Sequence, residues 1–438
     1  MSKSIQEIPF EELQEECQRL NIELMGTVDL VDEYGNLAPW YNAHIQRFND
    51  WLAREAYGDM EWMVTQADKR CDPRLLLPEV KSGVALWIGH QFPLPASAQQ
   101  EAKSQKSAKV ARYAWGRDYH NVLRRVLRQL GKWMKQYDPE LSFHGSVDTS
   151  PVLERAIAEQ CGIGWIGKST MLIHPKKGTF GSIAIALSSA RFSTRSQLKQ
   201  TNRCGTCSAC LDACPTQALS AEGLDARKCI SYWTIEHRGV IPESMRSAIG
   251  DWVFGCDICQ DVCPWSQKAA KTQPPPSSEL WLPQPERARP NLIKWLSMSD
   301  EALNQELQGS PLRRAFPHGL KRNAIIVLVN QQKTEALPMI IEQLNHQNLA
   351  VKVMALWAIR MLLSIEIQQE HEDKSKSESK SESKSIFKSE LERRNMLDNL
   401  IPLLNHLKEH DKSTLILKEL ELTAKFLDTK FNLELTDR

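Results

Sequence analysis

The chain of 438 residues is expected to fold as three units: an α/β domain over 1–190, an α+β domain over 191–275 and an all-α domain over 276–438. Three observations predict this. The first is a short apolar run bounded by turn residues, Gly83-Val84-Ala85-Leu86-Trp87-Ile88-Gly89-His90, with helical periodicity on either side. The second is a dense cysteine stretch from Cys204 to Pro264. The third is the helical texture of the chain beyond about residue 291.

Residues 1 to about 68 read as mostly helical. Glu11 to Leu24 carries apolar positions at helical spacing, and Pro39-Trp40 opens a second stretch with Ile45, Phe48, Trp51 and Leu52 on one face. Trp51, Met60 and Trp62 are expected to pack in a core. Arg70-Cys71-Asp72-Pro73 leads through Leu75-Leu76-Leu77-Pro78 to the buried strand, after which residues 91 to about 107 read as a polar loop.

From Lys103 to Lys135, ten Lys and Arg stand against one acid, Asp118, while Val122, Leu123, Val126, Leu127, Leu130 and Trp133 interleave at helical spacing. This is an amphipathic helix with a basic face, which is either a solvated surface or a phosphate-contacting one. Trp115-Gly116-Arg117-Asp118-Tyr119-His120, just before it, mixes aromatic and polar groups as a site does. Asp148-Thr149-Ser150 has the composition of a cap for a helix starting at Pro151 and ending near Cys161-Gly162. The turn Gly162-Ile163-Gly164-Trp165-Ile166-Gly167-Lys168 lets backbone approach a ligand closely, and it has neither G-x-G-x-x-G nor Walker spacing. Met171-Leu172-Ile173 and Ser182 to Leu187 are strand candidates, with a turn at Gly178–Gly181 between them.

The cysteine stretch opens with Cys204, Cys207, Cys210 and Cys214-Pro215 and closes with Cys256, Cys259 and Cys263-Pro264. The opening run is C-x2-C-x2-C-x3-C-P, the bacterial-ferredoxin spacing for a [4Fe–4S] cluster, and the closing run is the same signature short of one cysteine. Three thiolates from a tight loop meet three iron corners, and the Cys-Pro residue ligates the other cluster. One cluster is therefore assigned to Cys204, Cys207, Cys210 and Cys263. The other takes Cys256, Cys259 and Cys214, with Cys229, the remaining cysteine of the region, as fourth ligand. A zinc ribbon would instead want two C-x2-C pairs about 15–20 residues apart. Cys17, Cys71 and Cys161 are expected as small buried hydrophobes.

Pro274-Pro275-Pro276, Pro283, Pro285 and Pro290 mark a linker. Beyond it, Arg322 to Val329, Ala336 to Leu344 and Asn348 to Arg360 have the texture of HEAT-like repeats, interrupted by a Lys-Ser-Glu low-complexity insert at about 371–388.

Hydrophobic content of 42% and charged content of 25% are ordinary for a globular protein. A net charge of +1 excludes global electrostatic attraction to nucleic acid and leaves that task to local patches. No apolar signal core opens the sequence and no run of about 18 apolar residues occurs. Together with thiolate clusters, this leads us to expect a cytoplasmic monomer with no membrane partner.

An ordered set of these motifs resembles the epoxyqueuosine reductases. It comprises Arg70…Leu75-Leu76-Leu77-Pro78, Trp115 to His120, Val147-Asp148-Thr149, Glu154-Arg155-Ala156, Gly162 to Lys168 and the eight cysteines, and it runs from about 60 to 360. The insert after Glu370 departs from the family pattern. The resemblance implies a cobalamin-binding first domain and an iron–sulfur and cobalamin enzyme. Such an enzyme reduces the epoxide of epoxyqueuosine, at the wobble position of tRNA, to queuosine with electrons passed through both clusters from a donor. It implies Asp148 as proton donor, its carboxyl held protonated by burial against the corrin, and Arg70, Asp148, Leu172, Ser231, Cys256 and Asp257 as cobalamin contacts. Arg155 and Lys168 lie in the same loop-helix unit, with a salt bridge as the structural role open to Arg155. No D-x-H-x-x-G run supplies a lower histidine ligand, consistent with a base-off cofactor. Two other readings fit the clusters: a reductive-dehalogenase-like corrinoid enzyme on a small molecule, and a non-enzymatic electron-transfer or RNA-binding protein.

Overall fold

The computed structural model describes residues 7–103, 107–193, 200–272, 282–375 and 390–431. Its first half is organised by a four-stranded sheet of β1 (Leu24–Asp29), β2 (Ser82–Gly89), β3 (Phe143–Ser146) and β4 (Gly181–Ser188), in the order β1-β2-β4-β3. Every pairing is antiparallel: Leu24 lies opposite Trp87, Ser82 opposite Ser188 and Phe143 opposite Ser188. The expected α/β class is thus corrected, since the strand pairing is that of an α+β unit.

The physical reason for the misreading lies in what covers the sheet. Val84, Leu86, Ile88, Ala184 and Ala186 pack on one face with Val122, Leu123, Val126, Leu127 and Leu130 of the basic helix, Tyr119–Met134. Ala85, Trp87, Ile185 and Leu187 pack on the other face with Tyr41, Ile157 and Ala158. A strand buried on both faces reads as a continuous apolar run, the pattern typical of parallel sheets.

Three further expectations change. The first helix is Phe10–Arg19, and Leu24, read as its end, opens β1. The polar loop after His90 contains the helix Ala96–Lys103. Cys17 and Cys161 are buried at 1% exposure each, but Cys71 is half-buried, its thiol donating to Asn49 Oδ1 at 3.8 Å. Trp51 and Trp62 are half-buried as well. The Trp51 indole donates to Leu224 O at 2.7 Å, and Trp62 lies under the Arg314 guanidinium.

Pro274–Pro276 lies outside the described residues. The rest of the Pro-marked segment is packed down, with Ala288 in the core and Gln284 N–H donating to Trp115 O at 2.8 Å. Helices follow at Phe316–Asn330, Leu337–Glu342, Leu349–Ser375, Glu390–His410 and Thr414–Phe431. The third of these carries into the first residues of the charged insert, whose remainder, 376–389, lies outside the described residues.

One polar pair joins this helical half to the cysteine region. Arg322, 1% exposed, donates to Trp233 O at 2.7 Å and to His237 O and Gly239 O at 2.8 Å each. Asn323 donates to Thr234 O at 2.8 Å and Val253 O at 2.9 Å. Burial and the nearby Arg238 lower the Arg322 pKa to about 9, which leaves it charged at neutral pH. A buried cation is tolerated only when its donors are met, and here three carbonyls and the Asn323 side chain meet them.

Candidate active site and cluster cradle

Asp148 sits in the turn after β3 with left-handed backbone, φ 56°, a conformation that Asp tolerates better than most side chains. Its N–H donates to Glu154 Oε1 at 2.8 Å, and the Ser146 hydroxyl donates to the same oxygen at 2.7 Å. Its Oδ2 accepts from the Tyr119 hydroxyl at 2.8 Å, with His120 Nε2 3.9 Å away. Asp118 caps the basic helix, accepting from His120 N–H at 2.9 Å, and holds His120 Nδ1 at 2.7 Å.

The cap expected from Asp148-Thr149-Ser150 does not form. Val152 is buried in the core, which draws the chain onto the sheet before a helix can start, so the helix is Glu154–Gln160 with Leu153 in the uncapped first position. The Asp148 side chain is 67% exposed. The half-buried Glu154 carboxyl is pushed up to about 7 by burial and then by the Asp148 charge. Arg70 lies within electrostatic reach of both carboxylates, and its buried Nε has no hydrogen-bond partner.

From Asp148 a line of rings leads to the second cysteine run. Tyr119 meets Tyr113 edge-on at 5.8 Å between centroids, and Tyr113 meets Phe254 at 6.0 Å, two residues before Cys256. Asp257, 2% exposed, accepts from the Arg112 N–H at 2.8 Å, with the Arg112 guanidinium 3.6 Å away. Burial, opposed by Arg112, pushes the Asp257 carboxyl up to about 6. Asp257, Arg112, Trp87, Trp115 and Phe180 line a cavity of about 480 Å³.

A second connection runs through the glycine-rich turn. Trp165–Ile166 pairs with Leu172–Ile173, and Leu172 is buried at 4% exposure. Arg155 donates to Thr170 O, so its bond is to backbone rather than the expected salt bridge, and Glu159 Oε1 accepts from Ile166 N–H at 2.8 Å. Lys168 Nζ donates to Gly205 O at 2.8 Å and Cys207 O at 2.9 Å. A Cβ on Gly167 would stand 2.4 Å from Ile173 Cδ1 and 3.3 Å from Cys204 Sγ, so the backbone approach made possible here is to a cysteine sulfur.

All eight cysteines of the stretch are free. Cys210 feels the charges of Cys204, Cys263 and Cys207, whereas Cys256 feels those of Cys229 and Cys214. Cys263 is thus brought beside the first run, and Cys214 and Cys229 beside the second. Cys229 precedes the helix Ile230–Ile235, and Ser231 in its first turn hydrogen-bonds the Cys229 sulfur. Among the described residues no three Cys, His, Asp or Glu side chains form a single-ion site. A four-iron cluster has its thiolates on separate corners and asks for no such cage.

Two family models match the chain: the 4Fe-4S double cluster binding domain over residues 203–266, and epoxyqueuosine reductase QueG, DUF1730, over residues 70–149. The cysteine stretch is accordingly a two-cluster iron–sulfur domain. An epoxyqueuosine reductase of Synechococcus sp. is 40% identical over 276 residues, which cover 63% of this chain and 82% of that one. The chain belongs to the epoxyqueuosine reductase family. The Escherichia coli epoxyqueuosine reductase is 33% identical over 310 residues, 70% of this chain and 80% of that one.

The whole fold follows the family. A crystal structure of epoxyqueuosine reductase with a tRNA-Tyr epoxyqueuosine-modified stem loop superposes with a TM-score of 0.74 at 25% identity, covering 95% of this chain and 98% of that one. The Streptococcus thermophilus epoxyqueuosine reductase gives a TM-score of 0.73 at 23% identity, covering 97% and 99%. Against this family background, the roles of two residues of the site went unread in the sequence. Glu154 was singled out only as a member of the Glu154-Arg155-Ala156 motif, without its bonds to Asp148 and Ser146. Tyr113 sits in a basic stretch whose pattern says nothing of an aromatic bridge.

Proposed function

We propose that this chain reduces the epoxide of epoxyqueuosine at the tRNA wobble position to the alkene of queuosine, a reaction that takes up two electrons and two protons and releases the oxygen as water. The observation that carries the reading is the Asp148 group. A carboxylate is presented outward on a rigid turn, backed by Tyr119 and Glu154, with an unsatisfied Arg70 Nε beside it. Asp148 would donate the first proton to the departing oxygen, which needs a donor within hydrogen-bond reach.

A buried guanidinium nitrogen without a partner fits a polar ligand such as a cobalamin side chain. The residues we propose to hold cobalamin are Arg70, Leu172, Ser231, Cys256 and Asp257, with Leu172 offering packing and Arg70 and Ser231 offering donors. Bound there, cobalamin supplies the low-potential metal that delivers electrons to the epoxide carbon. The proposed cluster ligands are Cys204, Cys207, Cys210 and Cys263 for one, and Cys214, Cys229, Cys256 and Cys259 for the other.

Exposed Arg124, Arg125, Arg128, Lys132 and Lys135 would take phosphates of the anticodon stem. Arg124, Arg128, Lys132 and Lys135 line a groove of about 1030 Å³. Arg124 to Lys135 spans roughly 16 Å at the helical rise. The same helix places Tyr119 and His120 at Asp148. Phosphates held along its body would therefore set the extruded base at its start. The residues 276–438 would add a HEAT-like wall to this surface. Membership of a reductase family favours this function over the small-molecule and non-enzymatic readings.

The test is Asp148→Ala, purified anaerobically with cobalamin supplied. It should keep about eight irons and one cobalamin per chain yet lose about 10²-fold or more in turnover of epoxyqueuosine tRNA. Wild-type turnover by this variant would remove the assignment.

A further inference from the structure

Glu154 is a half-buried carboxyl beside Asp148 for which the reaction outlined above has no task. Its Oε1 is the single acceptor for two donors, the Asp148 N–H and the Ser146 hydroxyl. The backbone it holds is the one left-handed residue of the turn, at φ 56°. Charged and titratable groups face it from every side. Asp148 comes from the turn, Arg70 from the helix Ala67–Cys71, Tyr119 from the basic helix and Arg155 from its own helix. None of these offers the Asp148 N–H a second acceptor.

We propose that Glu154 is the positioning residue for Asp148, fixing the left-handed turn through Oε1. The inference rests on the reading of Asp148 as proton donor. A left-handed non-glycine residue stays put only where its surroundings over-determine it, and the two bonds to Oε1 do so. Burial, and then the Asp148 charge, raise the Glu154 carboxyl to about 7, and Oε1 accepts in either state of charge. For linkage the sign is that of a raised acid. The stabilising contribution of the bound proton is complete below about 4.5 and is lost as pH climbs through about 7.

Two variants separate the roles. Glu154→Gln keeps an oxygen acceptor and removes the charge. Glu154→Ala removes both. Single-turnover rates on epoxyqueuosine tRNA should fall about tenfold or more at every pH in Glu154→Ala, with KM for tRNA unchanged. In Glu154→Gln the rate should return to near wild type, because the amide oxygen can still accept from the Asp148 N–H.

Amide hydrogen exchange across 146–149 gives a readout free of chemistry. It should speed about tenfold in Glu154→Ala and stay slow in Glu154→Gln. Unchanged exchange and rate in Glu154→Ala overturn the proposal, as does a Glu154→Gln variant as slow in turnover as Glu154→Ala. Should Glu154→Ala not fold, Glu154→Gln decides alone: fast exchange across 146–149 or a loss of rate of about tenfold in it overturns the proposal. If Asp148→Asn turns over normally, the underlying reading has failed. If Asp148→Asn is inactive and Glu154→Ala is not, the inference alone has.

Discussion

The two cysteine runs share one spacing and live in different surroundings. The first, Cys204 to Cys214, lies at the surface. Cys207 is exposed, Gly205 turns at φ 51° with nothing within 4 Å of its missing Cβ, and the Lys168 ammonium clamps the loop tip. The second run is enclosed. Cys263 and Asp257 are buried, and Gly255 turns at φ 67° with its missing Cβ 2.6 Å from Ala111 Cβ. Burial, and then the neighbouring sulfurs, push the Cys256 and Cys259 thiols well above their ordinary range. The difference teaches that a ligand motif specifies chemistry while its surroundings specify direction. The open run suits the entry of electrons from a donor, and the closed run, beside Asp257 and the ring line to Asp148, suits their delivery.

The largest effect that could break this comparison is loss of a ligand. Cys256→Ala and Cys207→Ala should each lower iron from about eight to about four per chain. Only Cys256→Ala should also lower the unfolding midpoint sharply, because only the inner cluster is surrounded by packed core. Equal midpoints would show the two settings to be equivalent. A finer contrast needs no cluster chemistry. Gly255→Ala combines a positive φ with overpacking against Ala111 and should cost about 3 kcal/mol. Gly205→Ala carries the φ term alone and should cost about 1 kcal/mol. Anaerobic denaturant titration measures both, and the order reversed would contradict the packing described. Smallest is Lys168→Ala, which removes two exposed bonds at no more than about 1 kcal/mol. It should show as faster iron loss to a chelator, with cobalamin content unchanged. An unaltered rate would mean the outer loop holds its shape unaided.

What could be read from the sequence follows the same division. The cysteine spacing was legible because a cluster imposes it covalently. The basic helix was legible because Val122, Leu123, Val126, Leu127 and Leu130 must share one buried face. Strand pairing was not, because a doubly covered antiparallel strand such as Val84–Ile88 has the same apolar pattern as a parallel one. β1 was hidden because Leu24, Gly26 and Val28 continue an apolar texture that helix and strand periods fit equally over so short a span. Asp148 was legible as a site residue only through resemblance, while its capping role failed because Val152 needs the core more than Ser150 needs a helix. Glu154 was legible as part of a motif, and its role was not. Nothing in a carboxylate's neighbours along the chain tells that Asp148, Ser146, Arg70 and Tyr119 will close around it.

The Arg322–Asn323 pair bears on how far the cysteine region depends on the helical half. Five carbonyl oxygens, from Trp233, Thr234, His237, Gly239 and Val253, take their donors from a helix that begins at Phe316. A gene fragment stopping at 275 would encode every proposed cluster ligand and still leave those oxygens without donors. The helical half thus completes the hydrogen bonding of the cysteine region through residues outside the proposed cluster ligands.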